Sequence, residues 1–381
     1  MVGTFKIAES QTNVQEPGLD EADLIKNENG WIYTVSGNHL NIVRGYPINN
    51  FQKTSSVQFN QIFKPEAIFI EGNNLAVFGT KTTGGKTSTL ILIYDITNKY
   101  NIQFKFFYDF QGEYFDGRKN GATGYVYIVS HNPVTEYPWY NIGNGKTNLF
   151  LQNIRVFPPF NPGPKSFINI VSFNLQYPNQ NHFNMKSIIT EQATEIYMSY
   201  RSIYITYTDV INGIDHTRIF KIYVWGIGIW SLWATKVEGT IHNQFAMDEY
   251  LNTGVLRIAT TRLNNSQAKI NIYTLNFYFQ ILGQRKGIYP GNRITATRYF
   301  GKTLYIGTSL GKLIIVTFIP NHYWININSI RSLNGLPRYM HLLNSQLLLT
   351  FGKNIGDKGL KVWIYNVANP SNPYANGEFV L

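Results

Sequence analysis

The chain has 381 residues, of which 44% are hydrophobic, 15% are aromatic and only 14% are charged. This composition excludes global disorder, because it supplies enough apolar and strand-favouring side chains for a large core. The absence of cysteine excludes disulfides, thiolate catalysis and cysteine-ligated zinc.

Basic residues outnumber acidic ones, 33 to 22, which gives a net charge of +11. They are scattered, and Arg118-Lys119 and Arg285-Lys286 are the tightest groups, so nucleic-acid binding is disfavoured. Few charged residues are typical of extracytoplasmic or acid-facing proteins, and they also arise from compositional bias of a genome. The first residues lack the apolar stretch of a secretory signal, and no run of about 18 apolar residues predicts a transmembrane segment.

An N-terminal arm over residues 1–19 leads to three carboxylates in four positions, Asp20, Glu21 and Asp23. Two interpretations of this acidic group are open. Ca²⁺ prefers several oxygen ligands, so the three residues are a candidate metal site. Alternatively, they form an acidic turn whose carboxylates accept hydrogen bonds from backbone N–H groups.

After the arm, one short pattern recurs along the chain. It consists of a turn with Gly or Asn, a run of apolar and β-branched residues, and a closing Gly, Ser or Thr. The predicted strands begin at Trp31, Leu75, Tyr125, Ile203, Val255, Leu304 and Leu347, at intervals of 44, 50, 78, 52, 49 and 43 residues. A period of about 40–50 residues with four strands per repeat is the signature of a β-propeller blade.

Each repeat continues with a second apolar run, such as LILIYDITN or KVWIYNVANP, and usually with an aromatic-rich outer strand. Such a sheet cannot bury two apolar faces alone, whereas neighbouring blades in a ring bury them against one another. We therefore predict an all-β fold with a single domain over residues 1–381. It is a seven-bladed β-propeller of four-stranded antiparallel blades, whose last blade is completed by residues 377–381 or by residues 4–8.

The longest interval places an insertion in the third blade, at about residues 131–165, rich in Pro, Gly, Asn and aromatic residues. Long irregular segments on a rigid scaffold often carry function, although a packed surface loop is the commoner outcome. We expect a loop that lies across one mouth of the propeller.

A set of polar residues falls shortly before the repeat turns, on the inner strands. Because side chains alternate along a strand, about half of them would point away from the central channel. The set comprises Glu66, Asp116, Arg118, Glu195, Asp248, Glu249, Arg298, Arg338 and His341. The candidates for ligand binding are Arg118, Asp248, Glu249, Arg298, Arg338 and His341. They would form either a charged ring that holds a ligand or ion, or a water-filled, salt-bridged axis of structural value only.

Three stretches of the sequence resemble a known family. Residues 12–26 (TNVQEPGLDEADLIK), residues 242–261 (HNQFAMDEY and then LRIATT) and residues 359–373 (GLKVWIYNVANPSNP) are similar to the secreted β-propeller domain family of bacteria and archaea, distant relatives of WD-repeat propellers. The resemblance spans nearly the whole chain. It implies a propeller with an extracellular or cell-surface location and no established common activity. Asp20, Glu21 and Asp23 fall on its acidic motif, and Asp248 and Glu249 on its MDEY-type motif.

Two functional hypotheses follow from these features. The first is a non-enzymatic, extracytoplasmic binding or scaffold propeller, which presents Tyr, Asn and Arg at its mouth to a protein or glycan. The rival is a hydrolase or lyase that uses carboxylates at the propeller axis, in one variant with a divalent metal such as Ca²⁺ near Asp20, Glu21 and Asp23.

Overall fold

The computed structural model describes residues 15–16, 18–156, 165–191, 193, 195–264, 267–319, 324–354 and 359–380. These residues form β-strands and short 3₁₀ helices, and they contain no α-helix, so the all-β prediction is confirmed. The 3₁₀ helices are Ile48–Asn50, Leu151–Asn153, Gln180–His182, Gln244–Ala246 and Tyr250–Asn252. The described part of the chain has no helix long and apolar enough to cross a membrane.

The chain divides into two compact units, residues 1–193 with 222–231, and residues 194–221 with 232–381. The strands up to residue 193 are β1 (Leu19–Glu21), β2 (Ile25–Glu28), β3 (Trp31–Ser36), β4 (His39–Arg44), β5 (Gln52–Gln58), β6 (Phe63–Glu71), β7 (Asn74–Thr83), β8 (Lys86–Asp95), β9 (Gln103–Gln111), β10 (Glu113–Asn120), β11 (Tyr125–Pro133), β12 (Trp139–Asn141), β13 (Thr147–Asn148), β14 (Ile154–Val156), β15 (Ser166–Asn174) and β16 (Phe183–Thr190).

The later strands are β17 (Glu195–Met198), β18 (Ser202–Ile211), β19 (Ile214–Trp225), β20 (Gly228–Glu238), β21 (Met247–Glu249), β22 (Leu256–Asn264), β23 (Gln267–Leu275), β24 (Ile281–Ile288), β25 (Ile294–Phe300), β26 (Thr303–Thr308), β27 (Lys312–Ile319), β28 (Trp324–Ser332), β29 (Gly335–Leu342), β30 (Leu347–Asn354), β31 (Leu360–Asn366) and β32 (Tyr374–Val380).

The strands form seven sheets. Sheet 1 is β2-β3-β4-β5, sheet 2 is β13-β12-β9-β8-β7-β6, sheet 3 is β1-β10-β11-β15-β16-β14, and sheets 4 to 7 are β17–β20, β21–β24, β25–β28 and β29–β32. Each contains four strands that are consecutive in the chain apart from the insertion, and these pair antiparallel where their register is described. The predicted repeat strands coincide with β3, β7, β11, β18, β22, β26 and β30, the second strand of every sheet.

Two predictions about the chain ends can be compared with these strands. Residues 377–380 of the GEFVL segment belong to β32, the fourth strand of sheet 7, which pairs with β31. Residues 4–8, the other segment predicted to complete the last blade, lie outside the described residues.

Within each unit, buried clusters lie between consecutive sheets, because both faces of the central strands are apolar. In β7, Leu75 and Val77 join a buried cluster shared with sheet 1, while Ala76 and Phe78 join one shared with sheet 3. This alternation follows from the two-residue period of a strand. In the second unit, three further clusters join sheets 4 and 5, sheets 5 and 6, and sheets 6 and 7.

The insertion extends the edges of two sheets. β12 pairs antiparallel with β9, the fourth main strand of sheet 2, and β14 runs parallel to β16 in sheet 3. The described part of the insertion is therefore strand-paired at the fourth-strand edges, which differs from the irregular loop expected across a propeller mouth. Its residues 157–164 lie outside the described part of the chain.

The first strands of sheets 2, 6 and 7 each carry a one-residue bulge beside a glycine of the second strand. Arg338 is the extra residue between the pairs Pro337–Gly352 and Tyr339–Phe351 of sheet 7, and sheets 2 and 6 have the same feature. A Cβ on Gly352 would lie 2.0 Å from the Leu336 carbonyl oxygen, so only glycine fits there. A bulge re-aims its extra side chain relative to the pleat.

Candidate functional site

All six residues predicted to bind a ligand lie on first strands, as the repeat predicted. Arg118 is on β10 in the first unit, and the other five are in the second unit on β21, β25 and β29. Their surroundings differ, however. Three are held by internal ion pairs or buried hydrogen bonds, and the other three belong to a basic group on two neighbouring strands.

Arg118 is used inside the first unit. Its guanidinium nitrogen Nη1 lies 2.5 Å from Asp116 Oδ1 and donates to the Gly117 carbonyl oxygen at 2.8 Å. Burial raises the pKa of the Asp116 carboxyl above its ordinary value, and the Arg118 charge opposes that rise. Arg118 therefore neutralises a largely buried carboxylate two residues away on its own strand.

The acidic group Asp20, Glu21 and Asp23 is not gathered into a calcium site. Lys26 Nζ lies 2.6 Å from Asp20 Oδ1, and Glu21 Oε1 lies 3.9 Å from Arg118 Nε. Asp23 Oδ1 accepts a hydrogen bond from the Leu24 backbone N–H at 2.7 Å. The three carboxylates are thus separately paired, and the described residues contain no group of three or more His, Asp or Glu placed to hold a metal ion.

β1 brings this acidic group to the first-strand edge of sheet 3. Asp20 lies opposite Lys119 of β10, and Asp23 forms a bridge with Ile68 of β6. Lys119 Nζ in turn lies 2.8 Å from Glu71 Oε2, and both Lys26 and Lys119 are buried. The N-terminal segment therefore lies along the first strands of sheets 2 and 3. Its carboxylates and the nearby lysines neutralise one another in ion pairs.

In the second unit, Asp248 is ion-paired with Arg257, a residue that the sequence analysis missed. Arg257 Nε lies 2.8 Å from Asp248 Oδ2, and Arg257 Nη1 donates to the Gly301 carbonyl oxygen at 2.7 Å. The guanidinium also lies 4.9 Å from the Tyr299 ring centroid. The side chain is 1% exposed. The sequence did contain a signal for this ion pair. Arg257 is a single charged residue in the apolar run LRIATT, and a charge on a central strand requires a buried partner.

The Glu249 side chain lies on the face of β21 opposite to that of Asp248. Its Oε2 accepts hydrogen bonds from Tyr204 Oη at 2.6 Å and Ser199 Oγ at 2.8 Å, and its Oε1 accepts one from the Gly254 N–H at 3.0 Å. Because successive residues on a strand face opposite sides, Asp248 and Glu249 do not converge on one reacting atom. The pair needed for carboxylate acid–base chemistry is absent at these two residues.

Lys221 lies near Glu249 and was also missed. Its side chain is completely buried, and its Nζ is 3.9 Å from the Phe277 ring centroid and 5.5 Å from that of Tyr204. No described group hydrogen-bonds to this amine. Burial lowers the pKa of Lys221 to about 8, and the Glu249 charge opposes the shift.

Arg298, Arg338, His341 and His242 form a basic strip on and beside β25 and β29. Burial and the Arg298 charge lower the pKa of His341, and burial and the Arg338 charge lower the pKa of His242. Both imidazoles are therefore uncharged at neutral pH. Arg338 and its neighbour Tyr339 are exposed, and Arg338 makes no ion pair with any described residue. The strip thus combines two arginines and two neutral imidazoles, and Tyr339 is the neighbour of Arg338 on β29.

Consecutive four-stranded antiparallel sheets with shared apolar cores and polar first strands define a β-propeller class of protein. The chain belongs to the β-propeller domain family, whose profile, described as "Beta propeller domain", matches residues 9–381.

Two archaeal relatives resemble the chain. An uncharacterized protein of Methanocaldococcus jannaschii is 23% identical over 453 residues, which cover 98% of this chain and 69% of the relative. An uncharacterized protein of Archaeoglobus fulgidus is 24% identical over 147 residues, which cover 38% of this chain and 23% of the relative.

Proposed function

We propose that this chain is a seven-bladed β-propeller that binds an anionic glycan outside the cytoplasm and catalyses no reaction on it. The count of seven sheets and the apolar clusters shared by consecutive sheets support the blade number. The low share of charged residues, 14%, supports an extracytoplasmic setting, because uncharged polar groups keep their hydrogen bonding as pH changes.

The observation that carries the proposal is the exposure of Arg338 on a bulge of β29. The bulge turns its side chain out of the regular pleat, and no described carboxylate neutralises it. An arginine fork matches the geometry of a carboxylate or sulfate, and the neighbouring Tyr339 supplies a rigid ring surface for a sugar. The basic strip is thus better suited to holding an anion than to breaking a bond.

The rival enzyme hypothesis lacks its reacting groups at the positions predicted for them. Asp248 is held by Arg257, and Glu249 accepts three hydrogen bonds from buried groups. A general acid or base must reach the proton that it transfers, and neither carboxylate is free to do so. Turnover of a glycan that is lost on Asp248→Asn would support the rival and contradict a purely binding role.

Affinity electrophoresis in gels that contain polygalacturonate tests the proposal. We expect the acidic polymer to retard the protein, a neutral polysaccharide such as dextran to have no effect, and Arg338→Gln to weaken binding at least about tenfold. Arg285→Gln is the matched control, because Arg285 is an exposed arginine on β24 with the same charge. Equal retardation of the wild type and the Arg338→Gln variant would contradict the proposal.

A second arm separates glycan binding from general attraction to polyanions. Double-stranded DNA carries a higher charge density than polygalacturonate but offers phosphates instead of sugar carboxylates. We expect weaker retardation by DNA than by polygalacturonate at about 0.15 M salt. Stronger retardation by DNA, with a steep salt dependence, would favour nucleic-acid binding instead.

A further inference from the structure

A cavity of about 200 Å³ lies between sheets 5 and 6 of the second unit. Thr240 and Thr261 form one wall, and the two residues exchange backbone hydrogen bonds of 2.9 and 2.8 Å. Leu263 lies two residues beyond Thr261 and therefore on the same side of β22. His242, Arg293 and Ile294 complete the site from other segments. A volume of about 200 Å³ is below the range of about 300–1,000 Å³ that is typical of drug-sized ligand sites, and it suits one small organic group.

Arg293 is held at the cavity by its backbone, while its side chain remains available. Its N–H donates to Ser309 Oγ at 3.0 Å, and its carbonyl oxygen accepts from the Ser309 N–H at 2.9 Å. Its exposed guanidinium makes no hydrogen bond or ion pair with any described residue. The cavity lining contains no Asp or Glu. An arginine in this position favours a ligand that carries a carboxylate.

His242 supplies a different kind of contact. Its ring makes a hydrogen bond with the Thr295 backbone, and burial together with the Arg338 charge lowers the pKa of His242. A neutral imidazole with one N–H occupied by a carbonyl oxygen presents its other nitrogen as an acceptor. An acceptor beside a guanidinium suits a ligand that has both hydroxyl groups and a carboxylate.

The remaining walls are apolar. Leu263 and Ile294 face the same space as the polar side chains, and Thr261 Oγ1 is already engaged by the Ile294 N–H at 3.0 Å. A pyranose ring has this mixed character, since C–H groups lie on its faces and hydroxyl groups lie around its edge. The cavity therefore offers a carboxylate receptor, a hydroxyl acceptor and an apolar surface within the space of one sugar.

We infer that this cavity binds a single sugar acid, with its carboxylate paired to Arg293 and a hydroxyl group donating to His242. The inference rests on the proposed glycan-binding function, and it names a sugar acid as the ligand class of the cavity. A sugar acid at the end or along an acidic polymer would enter the cavity while the basic strip contacts neighbouring residues of that polymer.

Ligand-observed NMR titration of the full chain tests this inference with three probes. D-galacturonate has the ring and the carboxylate, D-galactose has the ring alone, and inorganic sulfate is an anion without a ring. We expect D-galacturonate to bind at least about tenfold more tightly than D-galactose, since only the carboxylate can form a charge-assisted contact with the arginine. We also expect it to bind more tightly than sulfate. Sulfate binding as tight as that of D-galacturonate would overturn the assignment to a sugar acid.

Variants locate the binding. Arg293→Gln should weaken D-galacturonate binding at least about tenfold, and Arg285→Gln should leave it unchanged. An unchanged thermal midpoint of Arg293→Gln shows that the variant is folded, which its exposed side chain leads us to expect. D-galacturonate binding that survives Arg293→Gln, or D-galactose binding of equal strength, would overturn the inference.

The outcomes also separate this inference from the proposed function. Retardation by polygalacturonate that depends on Arg338, without any Arg293-dependent binding of D-galacturonate, would reject the cavity and retain the glycan-binding function. Loss of both would reject both.

Discussion

Lys221 places an amine in the core of the second unit, and no oxygen atom of the described residues accepts a hydrogen bond from it. It lies against the Phe277 ring. Burial outweighs the attraction of the Glu249 carboxylate and lowers the pKa of Lys221 to about 8. An unfolded lysine has a pKa of about 10.4, so the folded protein binds the proton less strongly than the unfolded chain. The charge at neutral pH therefore costs on the order of 3 kcal/mol after the attraction of Glu249 is included.

We expect Lys221→Met to raise the free energy of unfolding at pH 7 by about 1–3 kcal/mol, because methionine fills the same space without a charge. Stability of the wild type should rise between about pH 8 and pH 10 relative to this variant, since the unfolded state binds more protons in that range. Urea denaturation of both proteins at pH 7 and pH 9.5 measures the difference. Lys236→Met, at an exposed position on β20, is the control and should change little.

A less stable Lys221→Met variant at pH 7 would contradict this account. It would mean that the attraction to the Phe277 ring and to Glu249 exceeds the cost of burial.

Asp20 is paired with a buried lysine, and this pairing can be tested. Asp20→Asn leaves the Lys26 ammonium without its carboxylate and should lower the free energy of unfolding by about 1–3 kcal/mol. Asp23→Asn should have little effect, since the asparagine oxygen can still accept from the Leu24 N–H. Thermal denaturation of the wild type with about 5 mM Ca²⁺ and with EDTA completes the test. We expect equal midpoints, since only a bound ion would stabilise the folded state.

A calcium site would behave differently. Both substitutions would then lower the midpoint by similar amounts, and added Ca²⁺ would raise it in the wild type. Those two results together would support a calcium site formed by Asp20, Glu21 and Asp23.

At the scale of the element, the bulge of β29 depends on Gly352. A methyl group there would lie 2.0 Å from the Leu336 carbonyl oxygen, so Gly352→Ala must separate β29 from β30. We expect a loss of at least about 3 kcal/mol in the free energy of unfolding, and weaker glycan binding in whatever fraction remains folded. Gly377→Ala in β32 of the same sheet is the control, since its Cβ would meet only the Phe379 side chain at 3.5 Å.

Urea denaturation measures both glycine variants. A Gly352→Ala protein as stable as Gly377→Ala would show that the two strands separate at no cost, and the structural explanation for the exposure of Arg338 would fail.

The central strands were predictable because their signal is local. A run such as LAVFG is apolar at both odd and even positions, which indicates a strand buried on both faces, and the turn residues mark its ends. The strands of the insertion were not predictable in the same way. β12 and β14 exist through pairing with β9 and β16, and nothing in their own short sequences specifies those partners.

The sequence predicted on which strands the candidate site residues lie, but not where their side chains point. The repeat placed Asp248, Glu249, Arg298 and Arg338 on first strands, but the direction of each side chain depends on bulges and alternation that the sequence does not display. Asp248 and Glu249 therefore looked like a pair, while each is bound by a different group, Arg257 in one case and Tyr204 in the other. The cavity at Arg293 needs three segments together, and no local motif marks it.

Within each unit, the sheets depend on one another because consecutive sheets bury apolar faces against each other. Tyr305 of β26 and Ile315 of β27 in sheet 6 contact the same cluster as Trp363 of β31 in sheet 7. Trp363 is completely buried in that cluster. A sheet deprived of its neighbour would expose a continuous apolar surface to water, which favours aggregation.

This dependence predicts the behaviour of a chain that ends at Ser332 and so lacks sheet 7. Such a chain leaves the Tyr305 and Ile315 side of sheet 6 uncovered. We expect it to bind the dye ANS strongly, to sediment as aggregates, and to lose the cooperative urea transition of the full chain while it retains strand signal in circular dichroism. Analytical ultracentrifugation at several concentrations distinguishes aggregation from a defined dimer. A monomeric truncated chain with a cooperative transition and no ANS binding would show that six sheets fold stably without the seventh. Burial of sheet 6 against sheet 7 would then not be required for folding.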